Sequence, residues 1–182
     1  MVDQFTKWVE CIPLPNMTAE ETARAAVDQF FSRFGCPFQI LSDRGTNFES
    51  KLFADVCDLL KIHKSRTTPY RPSANGQVER YNRTLMDAVR CAVERHHGMW
   101  DLVVPQIAGA LRASVNRHTG YTPNRMMLGR EVCSPVELVF PVDHPDVIDE
   151  DSYVKHLEES LKVSHEAARK TLKRSIEIMK RD

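Results

Sequence analysis

An α/β fold built on one principal core is what this 182-residue sequence predicts, and three observations carry the prediction. Apolar segments of strand and helix character alternate along the first 66 residues, the pattern that lays helices against a sheet. A short apolar run, Phe38 to Leu41, ends abruptly in Ser42, Asp43, Arg44 and Gly45, as a strand does when it leaves a core for a rim. With 42% hydrophobic residues at this length, the chain can bury one substantial core plus an appendage, and two full domains would be crowded.

Residues 2 to 12 are rich in Val, Phe, Trp and Ile and stop at Pro13 and Pro15, which predicts a strand running into a loop. Thr18 with Glu21 three residues on forms a capping box, and Val27, Phe30, Phe31 and Phe34 recur at helical spacing until Gly35 and Pro37 end the helix. Phe38 to Leu41 is expected to be a buried strand. Phe48, Leu52, Phe53, Val56, Leu59 and Leu60 trace the stripe of a second helix, followed by a short strand around Ile62 to Ser65. Residues 66 to 76, RTTPYRPSANG, have the Pro, Ser, Asn and Gly of an exposed loop. A third helix is expected from Gln77 to His97, with Val78, Tyr81, Leu85, Ala88, Val89 and Ala92 on its core face. A fourth runs from Asp101 to Asn116, bent or started by Pro105. The stretch PVDHPDVIDED holds five acids and no Lys or Arg, so residues 141 to 152 read as an acidic linker between a 1–140 domain and a 153–182 tail. In that tail Val154, Leu157, Leu161, Ala168, Leu172, Ile176 and Met179 keep a helical stripe through dense charge. Such an amphipathic helix must cover either the chain's own core or another subunit.

Charge excludes a global basic field, since 25 Lys and Arg stand against 25 Asp and Glu, so nucleic-acid contact would have to come from local patches. Cys11, Cys36, Cys57, Cys91 and Cys133 lie far apart, which argues against a disulfide framework or a cysteine-rich zinc site and fits an intracellular location. The opening MVDQFTKW has no secretory character and no run of about 18 apolar residues occurs, so neither secretion nor a membrane is indicated.

Asp43 and Glu79 are separated by 35 residues. Spacing alone decides nothing, because Asp58 with Glu94 and Asp101 with Glu137 share it. Context differs. Asp58 falls within a helix and Asp101 begins one, where a solvated face and an N-cap suffice. Asp43 stands where a strand ends, the rim at which α/β sheets place ligands, and Glu79 starts a helix after a Gly-containing loop. Two hard oxygen ligands on separate rigid elements suit Mg²⁺ that must also meet phosphate and water. A turn-forming Asp and a Glu near a helix N-terminus remain the plain alternative.

SDRGTNF (Ser42 to Phe48) and YRPSANGQVERYNRTL (Tyr70 to Leu85) closely resemble the second and third signature blocks of retroviral and long-terminal-repeat (gypsy-type) retrotransposon integrases. VDQFTKWVE (Val2 to Glu10) and GYTPNRMMLGR (Gly120 to Arg130) resemble further segments of the retrotransposon members, and the blocks run in order over residues 1 to 140. The resemblance implies a ribonuclease H-like fold, a mixed sheet flanked by helices, with an Asp, Asp, Glu triad holding two Mg²⁺ or Mn²⁺ ions for 3′-end processing and strand transfer. Asp43 and Glu79 match its second and third carboxylates. The first lies on strand one, upstream of the VDQFTKW segment, which here has only Met1 before it. The chain is therefore expected to lack strand one, to be a weak or inactive enzyme alone, and to use Asp3 outside the triad.

DNA is the implied partner, both retroelement ends and target, and a homo-oligomer in the nucleus the implied setting. Lys61, Lys64, Arg66 and Arg71 put four positive charges and no acid into eleven residues, a patch suited to phosphates. The expected DNA-binding set is Lys64, Arg66, Tyr70, Arg71, Asn75, Gln77, Arg80, Asn82 and Arg83, with ordinary solvated surface as the alternative for each charge. Trp8 and Trp100 are expected in the core. Two rival readings stay open here: a catalytically inactive retrotransposon-derived DNA-binding or assembly protein, and a related metal-dependent nuclease.

Overall fold

A computed structural model describes residues 1–67, 76–96, 100–132 and 150–179, the side chains of 76–80, 92–96, 150 and 179 excepted. The chain divides into two compact units, one formed by Glu10–Ile107 and the other by Met1–Val9 with Ala108–Asp182.

The Glu10–Ile107 unit begins with α1 (Ala19–Ala25), capped by Thr18, whose hydroxyl accepts the Glu21 N–H at 3.3 Å. The helix continues through a π-helical turn, Ala26–Phe31, into the short α2 (Ser32–Phe34). The wider turn has a visible use. Ala26 and Phe31, five positions apart, are both buried, a spacing that α-helical periodicity would send to different faces. Gly35 ends the run at φ 82°, its N–H bonded to the Phe31 carbonyl.

Strand β1 (Gln39–Ser42) follows, then α3 (Lys51–Leu59) and β2 (His63–Arg66), which pairs parallel to β1. This is a βαβ unit, the only ordinary way to join parallel neighbours. The expectation of a buried strand at Phe38 to Leu41 is corrected in burial and by one residue in position. Phe38 is 97% exposed, and along β1 only Ile40 and Ser42 turn toward the helices. Helices cover one face here, so the strand alternates instead of burying both sides. The core comprises Ala23, Ala26, Phe31, Phe53, Cys57 and Ile62, with Val27, Phe30, Ile40, Phe48, Val56 and Leu60 packed on it. Phe48 meets Phe53 edge to face with ring centres 5.4 Å apart. Leu52 and Leu59, expected on the α3 stripe, are instead exposed.

The end of α3 carries a detail with a measurable consequence. The Ile62 N–H bonds the Cys57 carbonyl at 2.8 Å and the Lys61 N–H bonds the Asp58 carbonyl at 3.1 Å, a Schellman motif with Lys61 left-handed at φ 56°. Glycine is the usual residue at that position, because a Cβ there is strained. Lys61→Gly is therefore expected to stabilise the fold by about 1 kcal/mol, read as a raised thermal midpoint. An unchanged or lower midpoint would show that the strain is absent.

Beyond β2, α4 (Gly76–His96) presents Tyr81, Leu85, Ala88 and Val89 half-buried along one stripe, as the periodicity predicts. Then α5 (Trp100–Ala113) includes Pro105 within it rather than at its start. Trp100, expected in the core, is 43% exposed.

In the other unit the expected strand at residues 2 to 12 is only a tight turn closed by one antiparallel bridge, Val2 to Val9. Asp3 causes the reversal. Its Oδ2 accepts the Thr6 N–H at 2.7 Å and the Thr6 hydroxyl at 2.6 Å, and Lys7 adopts φ 67°. Trp8 and Val9 are buried beyond the turn, where the Arg112 guanidinium lies 4.9 Å from the Trp8 ring centre and donates to the Val9 carbonyl at 3.0 Å. Helix α6 (Pro123–Leu128) starts at Thr122, whose hydroxyl accepts the Arg125 N–H and donates to the Glu131 carboxylate, and ends at Gly129.

The long α7 (Glu150–Met179) takes in the last three residues of the expected linker. It packs against α6 and its terminating Gly129 through Leu157, Ser160, Leu161 and His165, and Ser164 and Ala168 on it are fully buried. Ser160 Oγ donates to the Gly129 carbonyl at 2.7 Å, and His165 Nε2 lies 2.8 Å from the Met126 carbonyl. The middle of the tail's apolar face thus covers the chain's own GYTP-containing segment, while Val154 and Ile176 of the expected stripe stay exposed.

Candidate metal and nucleic-acid site

The register of the parallel pair builds the site. Gln39 faces His63 and Ser42 faces Arg66, and the Thr67 N–H closes the ladder on the Ser42 carbonyl at 3.0 Å. Both strands therefore release their next residues at one rim, where α/β sheets place ligands. Asp43 is the first residue past β1 and is exposed.

Its carboxylate is oriented by the loop it opens. Oδ1 accepts the Gly45 N–H at 3.0 Å, and the Gly45 carbonyl accepts the N–H groups of Phe48 and Glu49, each at 3.0 Å. Asn47 donates to Thr22 Oγ1 at 3.0 Å, tying the loop to α1, while Ser50 donates to the Asn47 carbonyl and caps α3. A side chain at Gly45 would collide with this arrangement. Its Cβ would stand 2.7 Å from Asn47 Oδ1 and 3.1 Å from Asp43 Oδ1, so only glycine lets the loop hold both groups as found.

Lys64 and Arg66 reach the same rim, and a residue absent from the sequence-level expectations joins them. Glu49 pairs with both, Oε1 to Lys64 Nζ at 3.0 Å and Oε2 to Arg66 Nε at 3.1 Å. The hydrogen bond from Lys64 holds the Glu49 carboxyl below its ordinary pKa, with Arg66, Lys64 and Arg44 adding to the effect and burial opposing it. No local signal pointed to Glu49. It precedes Lys64 by fifteen residues, and only the parallel pairing brings them together.

Of the remaining expected site residues, Tyr70, Arg71 and Asn75 lie outside the described residues. Gln77, Glu79 and Arg80 stand in the first five residues of α4, their side chains outside the description, while Asn82 and Arg83 are exposed on it. Asp43 and Glu79 fall in the same compact unit. Among the described residues, no three of His, Cys, Asp and Glu gather to hold a metal. Asp43 nevertheless fits a hard divalent ion in kind: an exposed, loop-braced carboxylate at a strand end.

Among the described residues the sheet has two parallel strands where a mixed sheet was expected, and it is similarity to solved integrase catalytic cores that gives the chain its class, a ribonuclease H-like α/β fold. Residues 1–72 match the family model described as "Integrase core domain". The chain is 33% identical over 147 residues, 81% of its length, to the Gag-Pol polyprotein of avian reticuloendotheliosis virus. It is 25% identical over 172 residues, 94% of its length, to the retrovirus-related Pol polyprotein from transposon 412 of Drosophila melanogaster. It spans only 12% and 14% of those polyproteins. The HTLV-2 integrase catalytic core domain, solved in complex with magnesium in a trimeric form, superposes with a TM-score of 0.56 at 25% identity, covering 67% of this chain and 78% of that one. The chain is thus related to retroviral and retrotransposon integrase catalytic cores, the resemblance that its motifs carry.

Proposed function

We propose that this chain is the core segment of a retrotransposon-type integrase, a polynucleotidyl transferase that joins retroelement DNA ends to target DNA. The observation that carries the reading is the strand end, where Asp43, braced by the Gly45 N–H, follows Ser42 and the neighbouring strand brings Arg66 opposite that serine and Lys64 two residues earlier. A carboxylate that can hold a cation next to groups that can hold phosphate is what DNA strand chemistry requires.

Asp43 and Glu79 would hold Mg²⁺ or Mn²⁺, with a third carboxylate completing a two-ion site of the kind that the resemblance implies. When bound, the ions supply activation of the attacking oxygen and stabilisation of charge on the leaving one. This chain's own part is geometric. The Gly45 N–H fixes the Asp43 carboxylate, and Lys64, Arg66, Arg80 and Arg83 grip backbone phosphates. Tyr70, Arg71, Asn75 and Gln77 meet the DNA end, and Asn82 supports Glu79 from one helical turn away.

Homo-oligomerisation in the nucleus belongs to the same proposal; the HTLV-2 core has been solved in a trimeric and a dimeric form. Among the described residues no helix is long and apolar enough to cross a membrane.

The test is an end-joining assay on labelled duplex DNA with the full integrase polypeptide that contains this segment. Joined product is expected with Mg²⁺ or Mn²⁺ and is expected to vanish on chelation. Nicking without joining would favour a nuclease, and binding without either would favour an inactive DNA-binding protein.

A further inference from the structure

Lys64 and Arg66 lie on β2, opposite Ile40 and Ser42 of the strand that Asp43 follows, yet a single anion of the same chain engages both. Each oxygen of the Glu49 carboxylate takes one cation, at 3.0 and 3.1 Å. A phosphodiester also offers two unshared oxygens on one singly charged group, so it can make the same pair of contacts. The Glu49 loop and the two strand residues come from separate elements, β2 on one side and the turn before α3 on the other.

We propose that Glu49 is an internal occupant of a phosphate subsite formed by Lys64 and Arg66, which a DNA backbone phosphate must displace on binding. The inference rests on the DNA-binding reading above. Two further facts favour displacement. The Arg66 side chain is 63% exposed and that of Glu49 27%, against 15% for Lys64, so the exchange can begin at Arg66 without opening the core. The Glu49 carboxylate is ionised at neutral pH at its ordinary pKa, and the Lys64 hydrogen bond lowers that pKa further, so a phosphate meets a competitor of full charge and not a stronger one. Exposed ion pairs are individually weak, which makes Glu49 a threshold and not a lock.

Fluorescence anisotropy of the full chain with a labelled duplex of arbitrary sequence, across a salt series, tests this. Glu49→Gln keeps the side chain's shape and removes its charge. It is expected to tighten low-salt binding by roughly three- to tenfold and to steepen the salt dependence, because two cations then meet phosphate without a competitor. Removing any acid favours DNA slightly, so the decisive comparison is Glu49→Gln within a Lys64→Gln/Arg66→Gln background, where the gain is expected to vanish. A gain that persists there, or wild-type binding that Glu49→Gln leaves unchanged or weakens, overturns the subsite while the DNA-binding reading stands. Absence of salt-sensitive binding in both wild type and Glu49→Gln overturns the two together. If Glu49→Gln does not melt cooperatively, Glu49→Asp serves. Its shorter arm cannot span both cations, and a smaller tightening is expected, whose absence overturns the proposal.

Discussion

If joining is measured as proposed above, Asp43→Asn is expected to reduce the metal-dependent product by at least about 100-fold, by removing charge and little else. The amide keeps the carboxylate's shape, and its oxygen can still accept the Gly45 N–H that Oδ1 accepts at 3.0 Å. The Asn47 link to Thr22 and the Ser50 cap do not involve Asp43, so the loop should stand. What disappears is the anionic oxygen that a hard divalent cation requires. Melting temperature should therefore stay near wild type while joining is lost, and Mg²⁺ titration by calorimetry should show weakened binding. Joining that survives the substitution would remove Asp43 from the chemistry, and a collapsed melting transition would reassign it to structure. Glu49→Gln makes a useful contrast, since it changes charge at the same rim without touching the proposed metal ligand.

Much of this rim was legible in the sequence because its signals are local. The Thr18 cap, the polar block from Ser42 to Asn47 and the described part of the α4 stripe each lie within a few turns of chain and are found as expected, although the Thr18 N–H goes to Asn16 and Glu21 pairs with Arg24, so the capping box forms only by half. The illegible parts depend on tertiary pairing. Glu49 reads as an unremarkable acid until the β1–β2 register brings Lys64 and Arg66 alongside it. Residues 2 to 12 have strand composition, yet the Asp3 carboxylate gathers Thr6 and reverses the chain within a few residues. Lys61 shows the same limit at a helix end. Nothing about lysine announces a left-handed residue, and the signal lies in the burial of Ile62 just after it, which pulls the chain back to the core.

The other large effect is expected far along the chain from the rim. Gly129→Val should destabilise the Met1–Val9 and Ala108–Asp182 unit by about 3–5 kcal/mol, through two costs that fall on one atom. Gly129 ends α6 at φ 73°, where a β-branched residue is strained, while its N–H bonds the Arg125 carbonyl at 2.9 Å. A Cβ there would also stand 2.6 Å from Leu157 Cδ1 and 2.9 Å from Leu161 Cγ, both on α7. The leucines cannot simply retreat, because Ser160 between them is tied to the Gly129 carbonyl at 2.7 Å. The glycine is thus both the terminator of one helix and the floor on which another lies. Ser160→Ala, which loses the hydrogen bond but keeps the glycine, should cost only about 1 kcal/mol. Thermal unfolding separates the two variants, and hydrogen exchange should show protection lost first in α6 and along Leu157 to Ala168. If Gly129→Val melted within a degree or two of wild type, α7 could not be seated on α6 in this way, and its apolar face would have to be covered by another surface.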